Sequence, residues 1–264
     1  MILQELCRLR LDWDDPIPPK LESLFSLWFQ DLHELSDFKV DRCFRPEKNG
    51  EIKNAQLHHF SDASESGYGT VTYLRLENTF DEIHCSFVMG KARVTPLKTI
   101  TVPRLELTAA TVAVRTNKML LNELEIPIDR SIFWTDCMSV LRYILNEDAR
   151  FQTFVTNRLA VIHEGSFTDN WRYVNTKLNP ADHASRGLTS SEMKKNVIGS
   201  LHLTFYGKMK TVGRSHLQKI MEQYVQTTLK LNKQLCEQSL KLKLRITILW
   251  ESRNSLRISH LGCR

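Results

Sequence analysis

Apolar and polar positions alternate with two periods along the chain. Residues 55–62, AQLHHFSD, predict a strand. So do 68–77, YGTVTYLRLE, with Tyr68, Val71, Tyr73 and Leu74 among its strand formers, and 82–94, EIHCSFVMGKARV. ENTFDE, residues 77–82, reads as a hairpin connection. From Pro103 the period lengthens. PRLELTAATVAVRTNKMLLNEL, residues 103–124, has Pro in its first turn and no Gly, and places Leu105, Ala109, Val112 and Leu120 on one helical face. SIFWTD (131–136) is a short apolar strand followed by a helix, CMSVLRYILN. FQTFVTNRLAVIHEG is another helix, WRYVNT (171–176) a last strand, and NPADHASRGLTSSEM turns into a terminal helix.

The order is β-β-β-α-β-α-α-β-α. It implies an α/β fold: a five-stranded mixed sheet, antiparallel where hairpins feed it and parallel after the crossover helix, flanked by helices. Residues 1–51 form an N-terminal helical extension, with prolines ahead of an amphipathic helix whose Trp28 and Phe29 are expected to pack.

At 264 residues, 42% hydrophobic and 25% charged, the composition is that of a soluble globular protein with no membrane span. The N-terminus gains charge too early for a secretory signal. Six scattered cysteines without a CxxC pair argue for reduced thiols, hence an intracellular protein of cytoplasm or nucleus. The net charge of +6 suggests nucleic acid, but its distribution changes the picture. Residues 201–264 hold twelve Lys and Arg against three Asp and Glu, leaving 24 basic and 27 acidic residues elsewhere. The basicity belongs to the tail.

Two predicted strands end on Asp62 and Asp136. Parallel neighbours present their carboxyl ends at one edge, where α/β folds place sites. Glu106 lies in the first turn of the long helix and Asp182 at the start of the last one. Singly, each has an ordinary role as a turn residue, a cap or a dipole partner. As a set on one edge they repel, and a divalent cation relieves the repulsion. Oxygen ligands suit Mg²⁺ or Mn²⁺. Two such ions roughly 4 Å apart serve in-line hydrolysis of a phosphodiester.

The runs FSDASESGYGTVTYLR, VTPLKTITVPRLELTAA, FWTDCMSVLRYI and WRYVNTKLNPADHASRG closely resemble the ribonuclease H region of BEL/Pao-type retrotransposon polyproteins, and LQELCRLRLDWDDPIP resembles the segment joining it to reverse transcriptase. The similarity runs to about Leu188. It implies a ribonuclease H-like fold and hydrolysis of the RNA strand of RNA–DNA hybrids with two Mg²⁺ held by Asp62, Glu106, Asp136 and Asp182. It also implies the reverse transcriptase portion of a parent polyprotein as partner. Cys137 stands where Ser is common. The rival reading is a decayed or binding-only relic. The peptidase label attached to such sequences does not fit, because no Asp-Ser-Gly or Asp-Thr-Gly loop occurs.

His183 is a candidate for proton transfer or product release. Arg104 and Lys98 are candidates for phosphate contact, and Arg186 for anchoring the last helix. Of His58 and His59, one must point inward. Trp134, Trp171 and His163 read as structural. The expected domain runs over residues 52–190. Residues 191–264 are expected to be a poorly folded tail, out of frame or unstructured to helical. Read one base earlier, the codons of Ile198–Arg214 permit the tryptophans and prolines with which the family continues.

Overall fold

The computed structural model describes residues 2–37, 43–45, 50–146 and 150–199. Strand β1 (Ile52–Ala63) turns through Ser64 into β2 (Gly67–Asn78), and β2 returns through β3 (Ile83–Val94). Both pairings are antiparallel. The first turn closes on itself. The Ser64 backbone N–H donates to the Gly67 carbonyl at 2.8 Å, and its hydroxyl oxygen accepts from the N–H groups of Ser66 and Gly67.

Helix α3 (Val102–Glu123) then crosses the sheet, and β4 (Arg130–Thr135) lies parallel to β1. Helices α4 (Met138–Leu145) and α5 (Thr153–Gly165) follow, and β5 (Trp171–Tyr173) pairs parallel to β4. The sheet order is β3-β2-β1-β4-β5, the mixed five-stranded sheet expected. Helices α6 (Ala181–Arg186) and α7 (Ser190–Gly199) complete the described chain. Beyond Gly199 the tail expected over 191–264 lies outside the described residues.

Alternation along β1 divides the core in two. Ala55 and Leu57 pack with Leu74, Leu76 and Leu120 of α3, and Ala63 with Tyr68, Leu105, Ala109 and Val112. On the opposite face Phe60 packs with Val71, Trp134, Val174 and Ala181 of α6. Both faces are therefore covered, which explains a departure from expectation at the histidine pair: His58 and His59 are both buried. His59 Nε2 meets Asn117 Oδ1 of α3 at 2.9 Å and its Nδ1 meets Thr72 Oγ1 at 2.9 Å. Since the amide oxygen only accepts, Nε2 carries the proton. Trp134 Nε1 donates to His58 Nδ1 at 3.1 Å. Burial lowers both imidazoles, His58 to about 3 and His59 to about 4, so both are neutral and structural.

Helix α6 seats on the hairpin because the hairpin presents bare backbone. A Cβ at Gly69 would stand 2.6 Å from the Lys91 carbonyl oxygen and 3.1 Å from Ala184 Cβ. One at Gly67 would stand 2.9 Å from the Ser185 carbonyl oxygen.

The N-terminal extension forms α1 (Ile2–Leu9) and α2 (Pro19–His33). Gln4 Nε2 donates to Thr95 Oγ1 at 3.1 Å, and Ser190 donates from its N–H to Asp31 Oδ2 at 2.9 Å. The expectation that Trp28 and Phe29 pack is corrected. They are 51% and 50% exposed, and only Leu21 of α2 is buried. Phe25 sits 5.6 Å from Trp28 and 6.1 Å from Phe29, centroid to centroid, so the aromatics group with one another rather than with the sheet. The last strand is also shorter than WRYVNT suggests: after Tyr173 the chain turns into a 3-10 segment, Thr176–Leu178.

Candidate metal centre

Parallel pairing of β1 with β4 runs in register to Ser61 beside Thr135, so Asp62 and Asp136 follow side by side where the strands part. Glu106 lies just past the first turn of α3, because the helix starts at Val102 and not at Pro103 as the sequence suggested, and this end of α3 hangs over the same edge. The backbone N–H of Ala63 donates to its carboxylate. Carboxylate oxygens of Asp62, Glu106 and Asp136 lie within 4.8 Å of one another, although the residues come from three separate elements.

Asp62 and Glu106 are buried, 4% and 7% exposed, and Asp136 is half-buried. Two ionised carboxylates at that separation repel by roughly 3 kcal/mol at an effective dielectric near 20. The titration reflects both burial and crowding. Glu106 is pushed up to about 9, by burial first and then by the charges of Asp62 and Asp136. Asp62 is pushed up to about 6, chiefly by burial, with the Ser185 hydroxyl working the other way. Asp136 is raised by burial, opposed by hydrogen bonds from Thr176 and Asn179.

One atom decides what the cluster is built for. Glu106 Oε2 is buried and has no hydrogen-bond partner among the described residues. Such an orphan is costly for a carboxylate unless a cation meets it. Three hard oxygen donors with one open lone pair fit Mg²⁺ or Mn²⁺.

Asp182 stands apart. It lies in the first turn of α6, outside the 4.8 Å cluster, and its Oδ1 accepts from Arg186 Nε at 2.6 Å. Its charge still reaches the cluster, raising Asp62, Glu106 and Asp136. Arg186 thus binds its own helix's acid. His183, the next residue, is half-buried. Arg104 is engaged at the start of α5: its Nη2 donates to Oε1 of Gln152, the residue before the helix, at 2.6 Å, and its guanidinium lies 5.3 Å from the Phe154 ring centroid. Lys98 is exposed on the loop before α3. Burial pushes the Cys137 thiol up, with the carboxylates of Glu106 and Asp136 adding to it.

Three residues were not singled out by sequence reasoning. Ser185 Oγ donates to Asp62 Oδ2. Asn179 ties the strand ends together, its Nδ2 donating to the Ser61 carbonyl at 3.0 Å while its Oδ1 accepts from the Ala181 N–H at 3.2 Å, and it also donates to Asp136. Thr176 is the other donor to Asp136. The only signal was position: Asn179 precedes the Pro180-Ala181 start of α6, where an Asn side chain commonly caps.

Comparison with known proteins follows from this geometry. Among solved structures the chain is similar to RNase H1 from the halophilic archaeon Halobacterium salinarum, at 12% identity and TM-score 0.34, covering 50% of this chain and 94% of that one. It is similar to LC11-RNase H1 solved with an RNA/DNA hybrid, at 10% identity and TM-score 0.34, covering 53% of this chain and 99% of that one. It is also similar to the foamy viral protease–reverse transcriptase solved with double-stranded DNA, at 14% identity and TM-score 0.28, covering 66% of this chain and 34% of that one. No curated protein matches. A family model described as the Pao retrotransposon-like RNaseH-like domain matches residues 1–137, just over half of the chain. The matched span holds Asp62, Glu106 and Asp136, and Asp182 lies beyond it. By that match, with a sheet of the expected order beneath it, the chain belongs to the Pao retrotransposon-like RNaseH-like domain family.

Proposed function

We propose that this chain is a retroelement nuclease that hydrolyses the RNA strand of RNA–DNA hybrids by two-metal catalysis, within a domain over residues 52–190. The observation that carries the reading is the carboxylate cluster with its orphaned Glu106 oxygen. Asp62, Glu106 and Asp136 would hold the cations, with Asp182 as the fourth carboxylate. Bound there, Mg²⁺ supplies charge compensation for the phosphodiester and an activated water.

The chain's own groups do the rest. Ser185 fixes the Asp62 carboxylate, and Thr176 and Asn179 fix that of Asp136, so neither rotates away from the shared centre. Ala63 and the helix backbone hold Glu106. His183, one residue past Asp182, is the residue we assign to proton transfer or product release. A peptidase dyad has no support, since the acids sit at strand ends and a helix start rather than on paired Asp-Ser/Thr-Gly loops. No helix among the described residues is long and apolar enough to cross a membrane. The polymerase portion of a parent polyprotein remains the proposed partner.

The test is cleavage of a hybrid labelled on its RNA strand by the full chain in Mg²⁺. Asp136→Asn, which keeps the side chain's shape, is expected to abolish cleavage while circular dichroism stays unchanged. A folded unmutated chain that leaves the hybrid intact would instead favour a binding-only relic.

A further inference from the structure

The seam between α3 and α5 carries an unused cluster of charge. Arg104, Thr108 and Arg115 recur at helical spacing along the side of α3 that meets α5. From α5, Arg158 reaches back. Its Nε donates to Thr108 Oγ1 at 2.9 Å, its Nη1 donates to the Phe154 carbonyl at 3.0 Å, and its guanidinium lies 3.4 Å from the Phe154 ring centroid. Arg104 approaches the same ring and is held by Gln152.

Two guanidinium groups thus share one aromatic ring, and neither has a carboxylate within ion-pair distance among the described residues. Arg115 is exposed and likewise carries no ion pair there. Burial lowers the Arg158 pKa, Tyr68 opposes the shift, and the nearby Arg115 charge adds to it. A tether between helices would need one such arginine. Three without an acid, two of them held in place by a shared ring and three neutral acceptors and the third exposed beside them, form an anion-binding strip.

We propose that Arg104, Arg158 and Arg115 grip the sugar–phosphate backbone of the nucleic-acid duplex engaged at the carboxylate cluster. This rests on the nuclease reading above. The strip begins two residues from Glu106 on the same helix. Arg104 and Arg115 are separated by about 16 Å of helix at 1.5 Å per residue. That length spans about five nucleotides of duplex measured along its axis, at about 3.4 Å each. The fixed forks suit phosphate oxygens, and the lack of base-reading groups beside them makes the contact independent of sequence.

The test uses the full chain in the Asp136→Asn background, so that a fluorescein-labelled RNA–DNA hybrid stays intact during anisotropy titrations at several salt concentrations. Arg115→Glu, a surface change that touches no packing, is expected to weaken binding about tenfold and to reduce the slope of log affinity against log salt by about 1. Replacing all three arginines with Gln is expected to reduce that slope by about 3. Lys53→Gln, at the opposite end of β1 from Asp62, controls for loss of a surface cation and changes neither quantity. An unchanged slope in folded Arg115→Glu overturns the strip. So does a loss confined to polyglutamate binding, which would make the patch a site for acidic protein. Cleavage by the chain carrying Asp136, together with an unchanged slope, leaves the nuclease standing without the strip. A reduced slope in a chain that never cleaves does the reverse.

Discussion

Replacing Glu106 with Gln is expected to make the metal-free protein more stable at neutral pH. The side chain keeps its shape and its acceptor for the Ala63 N–H, but loses a carboxylate whose other oxygen is buried without a partner. Unfolded, this carboxyl releases its proton near 4.5; folded, it holds the proton to about 9. Between those values the native state binds more protons than the unfolded state, so stability falls as pH rises. Each pH unit in that window removes about 1.4 kcal/mol. From pH 5 to pH 7 the unmutated chain therefore loses about 3 kcal/mol that Glu106→Gln retains. Mg²⁺ narrows the gap: at a concentration 100 times its dissociation constant it stabilises the unmutated chain by about 2.7 kcal/mol, and the variant by less. Urea unfolding followed by tryptophan fluorescence reads this directly, because Trp134 and Trp171 are buried in the core. Parallel stability–pH curves for the two proteins without metal would refute the reasoning. So would Mg²⁺ stabilising both equally.

Other outcomes follow from the same geometry. Ser185→Ala removes the donor that favours ionised Asp62, so the carboxyl rises beyond about 6, and the acid limb of the cleavage–pH profile moves to higher pH. Asn117→Leu strips the buried His59 Nε2–H and the Ser131 hydroxyl of their acceptor, and is expected to cost about 1–3 kcal/mol in urea midpoint analysis. Gly69→Ala forces a Cβ against the Lys91 carbonyl oxygen and Ala184, costing about 1–3 kcal/mol by thermal unfolding. If α6 lifts in response, hybrid cleavage falls by more than the stability loss explains.

Strand order was legible because its signals are local and repeated: three strands joined by turns, a Pro-started helix, then apolar runs, the first of them ending on an acid. Asp62 and Asp136 could be paired before any coordinates, since parallel strands in register end together. What could not be read depended on docking. Ser185 and Asn179 are ordinary polar residues until α6 settles on the hairpin and turns them toward Asp62 and Asp136. Asp182 looked equivalent to the other acids, but it lies outside their cluster and one of its oxygens accepts from Arg186, four residues on. The amphipathic spacing around Trp28 is the same for a packed helix and an exposed one, so the pattern alone suggested packing. WRYVNT has the composition of a longer strand, yet pairing stops at Tyr173, and the following turn delivers Thr176 to Asp136.

The hairpin of β2 and β3 contributes no acid to the centre, yet one of its ends governs the geometry there. At Gly67 and Gly69 the floor beneath α6 is stripped of side chains, and the helix resting on it aims Ser185 at Asp62. The other end is an Asn78 turn, whose side chain accepts from the N–H groups of Phe80 and Glu82 while the Thr79 N–H donates to the Glu51 carbonyl. Insertions and tags should be absorbed at Asn78–Glu82 with little effect on turnover. A single added methyl at the opposite end, on the residue paired with Asp62 across the ladder, reaches the chemistry through the tilt of one short helix.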